Sequence, residues 1–377
     1  MTNKNKHFFL IAGESSGDLH ASELIHYLST IHPNSIFTGI GGRLMQKRGL
    51  KSITSIEKLA VMGFWEVMKQ FRFFMNLEKK VLQKIKTNQP DTIVLIDYPG
   101  FNLRIAKKIK QQYDIPIIYY ISPQIWAWKE KRINNIKKYV DKLIVIFPFE
   151  VEWYKARSVA VEYFGHPLID QWNKSDKIIK KNNLSKITIG LFPGSRKQEI
   201  DKHLPIFKSL IDQKNKINTD VKFVISQSEL IPPSSFEYFK KNNVPVLSCS
   251  LYEILSTCDL AIVASGTATL ECAISNTPFI VIYKMSYLSW LITKKIISLE
   301  FVSIVNILAN KKIVPELLQK DLTIQNISKK INYLINKENY AHTKKELGRV
   351  VTLLGDGGAY KEAASFINNI KQINEKY

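Results

Sequence analysis

Short apolar runs, each broken by glycine, serine or proline and followed by apolar residues at helical spacing, recur along the whole chain. In the first half they lie at 8–12, 35–38, 92–96, 115–121, 143–147 and 161–164, with a helical pattern over 19–30 after the first. Runs of this length between turn residues predict buried strands, and the 3.6-residue period between them predicts helices. Strand and helix in alternation predict an α/β fold with a doubly wound parallel sheet. A polar, Lys- and Asn-rich stretch at 172–186 reads as a linker. Beyond it the scheme repeats, with strands at 187–192, 221–226, 244–247, 260–263 and 279–283. Helical patterns begin at 200 and cover 251–257, a helix start is expected at 315–318, and a last helix at 359–373. The 377 residues therefore read as two doubly wound domains, 1–172 and 186–349, with the stretch from about 350 to 377 crossing back onto the first.

One segment breaks the pattern. Residues 59–77 (LAVMGFWEVMKQFRFFMNL) carry apolar side chains around more than the one stripe a core-facing helix needs. Two readings are open: a helix packed on the first domain, or an interfacial helix. In the second, Phe64, Trp65, Met68, Phe73 and Phe74 enter lipid while Lys69, Arg72, Lys79 and Lys80 meet headgroups. The surplus apolar coverage favours lipid contact.

Charge sharpens this. The 54 Lys and Arg against 33 Asp and Glu leave +21, a balance that suits phosphates or an anionic membrane surface. Part of the lysine excess is equally well explained by genome composition. No zinc-finger, RNP-like or arginine-rich segment supports nucleic acid as a partner. Cys249, Cys258 and Cys272 are odd in number and lack C-x-x-C spacing, which suits reduced thiols in a cytosolic protein. The apolar run ahead of Glu14 is short for a signal-peptide core, and no run approaches the roughly 18 residues of a membrane span. A cytoplasmic, peripheral location is the expectation.

The candidate chemistry sits in loops that follow strands. Gly13 to Asp18 (GESSGD) follows the first strand, and its spacing is not that of a dinucleotide fingerprint. Asp97 to Asn102 (DYPGFN) follows 92–96; there Asp97 is either a base for a hydroxyl proton or a cap on the next helix. In the second half, Pro193-Gly194-Ser195-Arg196 lies between strand and helix. Unpaired backbone N–H groups, a helix dipole and a guanidinium fork make a phosphate grip there, unless the turn is an ordinary connection. Ser265 to Glu271 (SGTATLE) is a second small-residue loop, whose Glu271 suits a ribose diol. No D-x-D motif and no zinc-binding histidine spacing occurs, so no metal and no cofactor are expected.

Taken together these runs resemble the lipid-A-disaccharide synthases, GT-B glycosyltransferases of bacterial outer-membrane lipid synthesis. The resemblance is carried by AGESSGD from Ala12, LAVMG from Leu59, IDYPGFN from Ile96, SPQIWAW from Ser122 and FPFE from Phe147. It continues through GHP from Gly165, LFPGSR from Leu191, ASGTATLE from Ala264 and VNILA from Val305. A departure is Gly100, where members often carry a second Asp; Asp97 is then the sole carboxylate of its loop.

The resemblance implies two Rossmann-like domains facing across a cleft. It implies transfer, with inversion and without metal, of 2,3-diacylglucosamine from its UDP form to 2,3-diacylglucosamine 1-phosphate (lipid X). The products are a β-1,6 disaccharide and UDP. Carried over residue by residue, Asp97 is the base on the acceptor 6-hydroxyl. Gly194, Ser195 and Arg196 hold the diphosphate, and Ser265, Gly266, Thr267, Glu271 and Asn306 take further contacts to the UDP-sugar. Glu14, Ser16, Gly17 and Asn102 line the acceptor side. The cytoplasmic leaflet of the inner membrane is the implied surface, and oligomeric state stays open. The alternatives are another GT-B enzyme, such as a UDP-GlcNAc epimerase, and a non-catalytic lipid-binding protein.

Overall fold

The computed structural model describes residues 5–56, 59, 67–174 (67–71 by backbone only), 187–194, 196–214, 217, 220–227, 231–285 and 300–370. They form two compact units, Met1–Asp170 with Asp356–Tyr377, and Gln171–Gly355.

In the first unit seven parallel strands run in spatial order β3-β2-β1-β4-β5-β6-β7. They are β1 (His7–Ala12), β2 (Ile36–Ile40), β3 (Lys51–Ser52), β4 (Thr92–Ile96), β5 (Ile117–Tyr120), β6 (Lys142–Val145) and β7 (Glu162–Tyr163). The central strands are apolar throughout because helices cover both faces of the sheet; Phe8 to Ala12 and Ile93 to Ile96 are at most 1% exposed. Both edges end in two-residue strands, which leave little unpaired backbone.

The second unit repeats the winding with six parallel strands, β10-β9-β8-β11-β12-β13. These are β8 (Ile187–Phe192), β9 (Val221–Ser226), β10 (Val246–Leu247), β11 (Leu260–Ala264), β12 (Phe279–Tyr283) and β13 (Glu316–Leu318). One core joins strands β8, β9, β11 and β12 to the helix Lys197–Asp212 through Ile189, Leu191, Phe207, Phe223 and Ile280. The last strand corrects an expectation. Glu316–Leu318 is not the start of a helix but a strand pairing with Val281–Tyr283, with the Pro315 carbonyl accepting from Val281 N–H. Proline ahead of apolar residues suits a helix start and a strand start alike, and the open edge of β12 decides between them.

The helix Ala359–Asn368 belongs to the first unit. Asp170, from the GHPLID stretch, accepts hydrogen bonds from Gly358 N (2.5 Å) and Tyr360 N (2.9 Å) and so caps that helix. The Tyr360 hydroxyl in turn meets His20 Nδ1 at 2.7 Å.

Candidate active site

Each sheet reverses its strand order once, between β1 and β4 in the first unit and between β8 and β11 in the second. Ligands of open α/β sheets bind at the carboxyl ends of the strands flanking that switch point. All four loops singled out in the sequence follow these four strands.

In the first unit the register pairs Ala12 with Ile96, so Gly13 and Asp97 leave the sheet side by side. Gly13 is needed for close approach: a Cβ there would stand 2.3 Å from the Tyr98 ring. Asp97 (φ 43°) and Tyr98 (φ 49°) are both left-handed, a conformation that costs non-glycine residues on the order of 1–3 kcal/mol each. The surroundings fix it. The Asp97 carbonyl accepts from Asn102 Nδ2 at 2.7 Å and from the Tyr119 hydroxyl at 2.5 Å. The same Asn102 amide reaches the Ile96 carbonyl at 3.2 Å, and the residue is fully buried. Asn102 therefore lies beneath the loop as a support for Asp97, not on its open side. Burial, then the Asp97 charge, drives the Tyr119 phenol well above its ordinary pKa, so it stays a donor.

Glu14 and Ser16 are exposed at the start of the helix Ser15–Ile31. After burial, the Glu14 charge is the larger influence raising the Tyr98 hydroxyl, which sets Glu14 beside the Asp97 loop. Gly17 is buried; a Cβ there would meet Ala12 Cβ at 3.3 Å, so it serves helix-to-strand packing. Asp18 is a support that the motif alone did not disclose. Its carboxylate accepts from Gly42 N (2.8 Å), Leu44 N (3.1 Å) and Met45 N (3.1 Å), capping the next helix, Arg43–Lys47.

A second support is Glu150, completely buried. Its carboxylate accepts from Ser122 Oγ (2.6 Å), Trp126 Nε1 (3.0 Å), Phe147 N (3.0 Å) and Ile146 N (3.2 Å). One side chain thus ties the SPQIWAW loop after β5 to the FPFE turn after β6. Burial pushes its carboxyl up to about 7, against the pull of those donors.

In the second unit Gly194 has φ 106°, and a Cβ there would stand 2.4 Å from Glu199 Oε2. Arg196 is exposed at the N-cap of the sixteen-residue helix Lys197–Asp212; Ser195 lies outside the described residues. Gly266 (φ 141°) is exposed with open space where a Cβ would stand, and Thr267 is exposed beside it. Ser265 donates to the Val302 carbonyl at 3.3 Å. Glu271 is half-buried, and burial pushes its carboxyl up to about 7. Asn306 has a different place from the one expected. It is fully buried, donating to the Val314 carbonyl (3.0 Å) and Glu316 Oε1 (2.8 Å) and accepting from Ile313 N (2.8 Å) and Val314 N (3.0 Å). Its amide is spent on the 313–314 backbone and the Glu316 carboxylate, leaving nothing directed at a sugar. Among the described residues no group of three His, Cys, Asp or Glu could hold a metal ion.

The lipid-facing set divides. Phe64, Trp65 and the Met68 side chain lie outside the described residues. Phe73 and Phe74 are half-buried and pack on the first unit's core, Phe74 with its ring centroid 6.0 Å from that of Phe101. For those two the core-facing reading holds. Among the described residues no helix is long and apolar enough to cross a membrane.

Comparison with known proteins bears on the whole chain. The family model for lipid-A-disaccharide synthetase matches residues 8–370. Lipid-A-disaccharide synthase 1 of Legionella pneumophila (strain Philadelphia 1) is 39% identical over 340 residues, 88% of either chain. The Coxiella burnetii (strain CbuG_Q212) lipid-A-disaccharide synthase is 37% identical over 375 residues, 97% of this chain and 99% of its own. Among solved structures, S. aureus MnaA in a co-structure with UDP superposes with TM-score 0.66 at 14% identity, over 98% of this chain and 97% of its own. The calicheamicin glycosyltransferase CalG4 does so with TM-score 0.64 at 12% identity, over 98% and 99%. At such identities the structural likeness speaks for the fold, two parallel α/β sheets as in GT-B glycosyltransferases. The family match and the sequence relatives speak for more: this chain belongs to the lipid-A-disaccharide synthetase family.

Proposed function

We propose that the chain makes the lipid A disaccharide by glycosyl transfer, moving 2,3-diacylglucosamine from its UDP form onto the 6-hydroxyl of 2,3-diacylglucosamine 1-phosphate. The observation that carries this reading is the family match along residues 8–370, which takes in all four switch-point loops. In the reaction the acceptor oxygen bonds to the donor's anomeric carbon as the bond from that carbon to the diphosphate breaks. The hydroxyl proton goes to Asp97 and the electron pair leaves with UDP. A base fixed by backbone clamps suits the first task, since proton transfer requires a defined position. The second unit offers the complementary charge: Gly194, Ser195 and Arg196 meet the diphosphate at a helix N-terminus, while Ser265, Gly266, Thr267 and Glu271 take the rest of the nucleotide sugar. Asn306, through Glu316, holds the chain around them.

Glu14 and Ser16 border the acceptor, with Gly17 and Asn102 acting from below. The acylated, anionic substrates also fit a chain of charge +21 resting on the cytoplasmic face of the inner membrane. The test is product analysis with both acylated sugars, with and without EDTA. Disaccharide and UDP in equal amounts are expected in both cases, and none from Asp97→Ala. A UDP-sugar isomerised without lipid X would instead indicate an epimerase, and UDP released without lipid X a hydrolase.

A further inference from the structure

His203 lies two turns inside the helix Lys197–Asp212, fully buried, and it is the one imidazole in the second unit's switch-point region. Its ring joins two backbone segments. Nδ1 stands 2.8 Å from the carbonyl oxygen of Pro193, the first residue of the PGSR loop. Nε2 stands 3.2 Å from the backbone nitrogen of Lys284, which follows β12.

The partners settle the tautomer. A carbonyl oxygen only accepts, so Nδ1 carries the proton; a backbone N–H only donates, so Nε2 is bare. The ring is thus neutral and satisfied on both sides, and a second proton would set Nε2–H against the Lys284 N–H.

From this we infer that His203 is a positioning residue for nucleotide diphosphate binding, acting as a strut that fixes the PGSR loop against the segment after β12. The inference rests on the glycosyl-transfer reading only in naming the anion as a UDP diphosphate. The geometry explains why a strut is needed. Gly194 is left-handed, and the Glu199 carboxylate fills the space a Cβ would take, so the path of the backbone leaving Pro193 depends on where Pro193 is held. Pro193 has no N–H of its own. Its carbonyl is therefore the one polar backbone handle on that residue, and His203 takes it.

Charged groups face the ring from each element around it. Glu199, on its own helix, favours the protonated ring and Lys284 disfavours it, while Arg196 and Glu199 both act on Tyr283, whose ring centroid lies 6.3 Å from that of His203. Burial outweighs the rest and lowers the imidazole's pKa, keeping the strut in its neutral, two-bonded state at neutral pH. Acidification below the ordinary imidazole range breaks the Lys284 bond, and UDP affinity falls with it.

Three variants separate the two bonds. In His203→Asn the amide nitrogen can still donate to Pro193, in His203→Gln the longer amide oxygen can still accept from Lys284, and in His203→Ala both bonds are lost. Calorimetric titration of the full chain with UDP is expected to show affinity weakened about tenfold by Ala, a loss of about 1.4 kcal/mol. Asn and Gln are expected to weaken it less. In steady state the donor KM rises in step, while kcat and the acceptor KM stay within about twofold. Wild-type UDP affinity holds from pH 8 to about 6.5 and declines below it more steeply than that of His203→Asn, which has no ring to protonate.

Should the Ala variant not fold, Asn and Gln decide the matter. If both fold, as judged by melting, and bind UDP as the wild type does with an unchanged pH profile, the strut is refuted. Equal losses in donor and acceptor KM also refute it, since they mark general loosening. Failure of the wild-type protein to bind UDP at all would be a different result, overturning the glycosyl-transfer reading itself.

Discussion

Asp97, the proposed base, shows how much of a site lies in its neighbours. Its backbone, left-handed through two successive residues, is held by Asn102 and Tyr119 at the carbonyl, which fixes where the carboxylate starts from. Replacing the carboxylate alone should therefore spare binding. Asp97→Asn is expected to lower kcat by about 10²- to 10⁴-fold with donor KM unchanged, as removal of a general base does. Replacing the support does something else. Asn102→Ala leaves the carboxylate in place but takes the buried Asn102 amide from the carbonyls of Ile11, Ile96 and Asp97, the last of which keeps the Tyr119 hydroxyl. Stranding such groups costs about 1–3 kcal/mol. Urea denaturation should show that loss, and kcat should fall with it while the UDP titration stays as in wild type. A variant with normal stability and normal kcat would mean that Asp97 does not depend on the clamp.

At the scale of elements, the strands were readable wherever a strand is buried on both faces. Thr92–Ile96 and Phe279–Tyr283 fall where the apolar runs put them, because parallel central strands need unbroken apolar sequence. The edges were less readable. Glu316–Leu318 has only three residues and a preceding proline, and its state is set by a neighbour thirty-five residues away in sequence, Val281 opposite Glu316. Site supports follow the same rule. Asp97 and the PGSR loop announce themselves by turn chemistry next to a strand, whereas the buried links made by Glu150, His203 and Asn306 depend on contacts that no local pattern encodes.

Glu150 tests this at the level of two loops. Its two oxygens accept four donors, and glutamine would turn one acceptor into a donor facing others. Glu150→Gln is expected to lose about 2–4 kcal/mol in denaturation, with Trp126 fluorescence shifted towards that of an exposed indole. Phe74→Ser, on the helix Val67–Asn88, should cost about 1–3 kcal/mol because that ring packs on Phe101 and the core. Were the variant as stable as wild type but deficient in vesicle sedimentation, the ring would belong to the lipid-facing set after all.

For the whole molecule, the decisive feature is how the first unit is closed by a segment nearly two hundred residues away in sequence. Asp170 caps the helix Ala359–Asn368, the Tyr360 hydroxyl bonds His20, and Lys6 donates to Asn368 Oδ1 at 2.9 Å, so three links tie the chain's last described helix to the rest of the first unit. The histidines at this closure are held neutral. Burial lowers His20 to about 4 and His166 to about 3, the latter with a smaller push from His20. The sign of the consequence follows from linkage. Between these values and the unfolded value near 6.5, the unfolded chain binds more protons than the folded one, so folding stability rises with pH in that window. The contribution is complete above about pH 6.5 and is lost as the pH falls towards 4. Chemical denaturation from pH 8 to 4.5 should therefore show a midpoint that holds to about 6.5 and then declines. His20→Gln, whose amide still reaches Tyr360, should decline less steeply while melting lower at pH 8. Because the closing helix carries the link, the loss on acidification should come first there: amide hydrogens of 359–368 are expected to lose protection before those of β1 and β4. Simultaneous loss along the first unit would show instead that helix and sheet open together, and that the histidines guard the whole unit and not its closure.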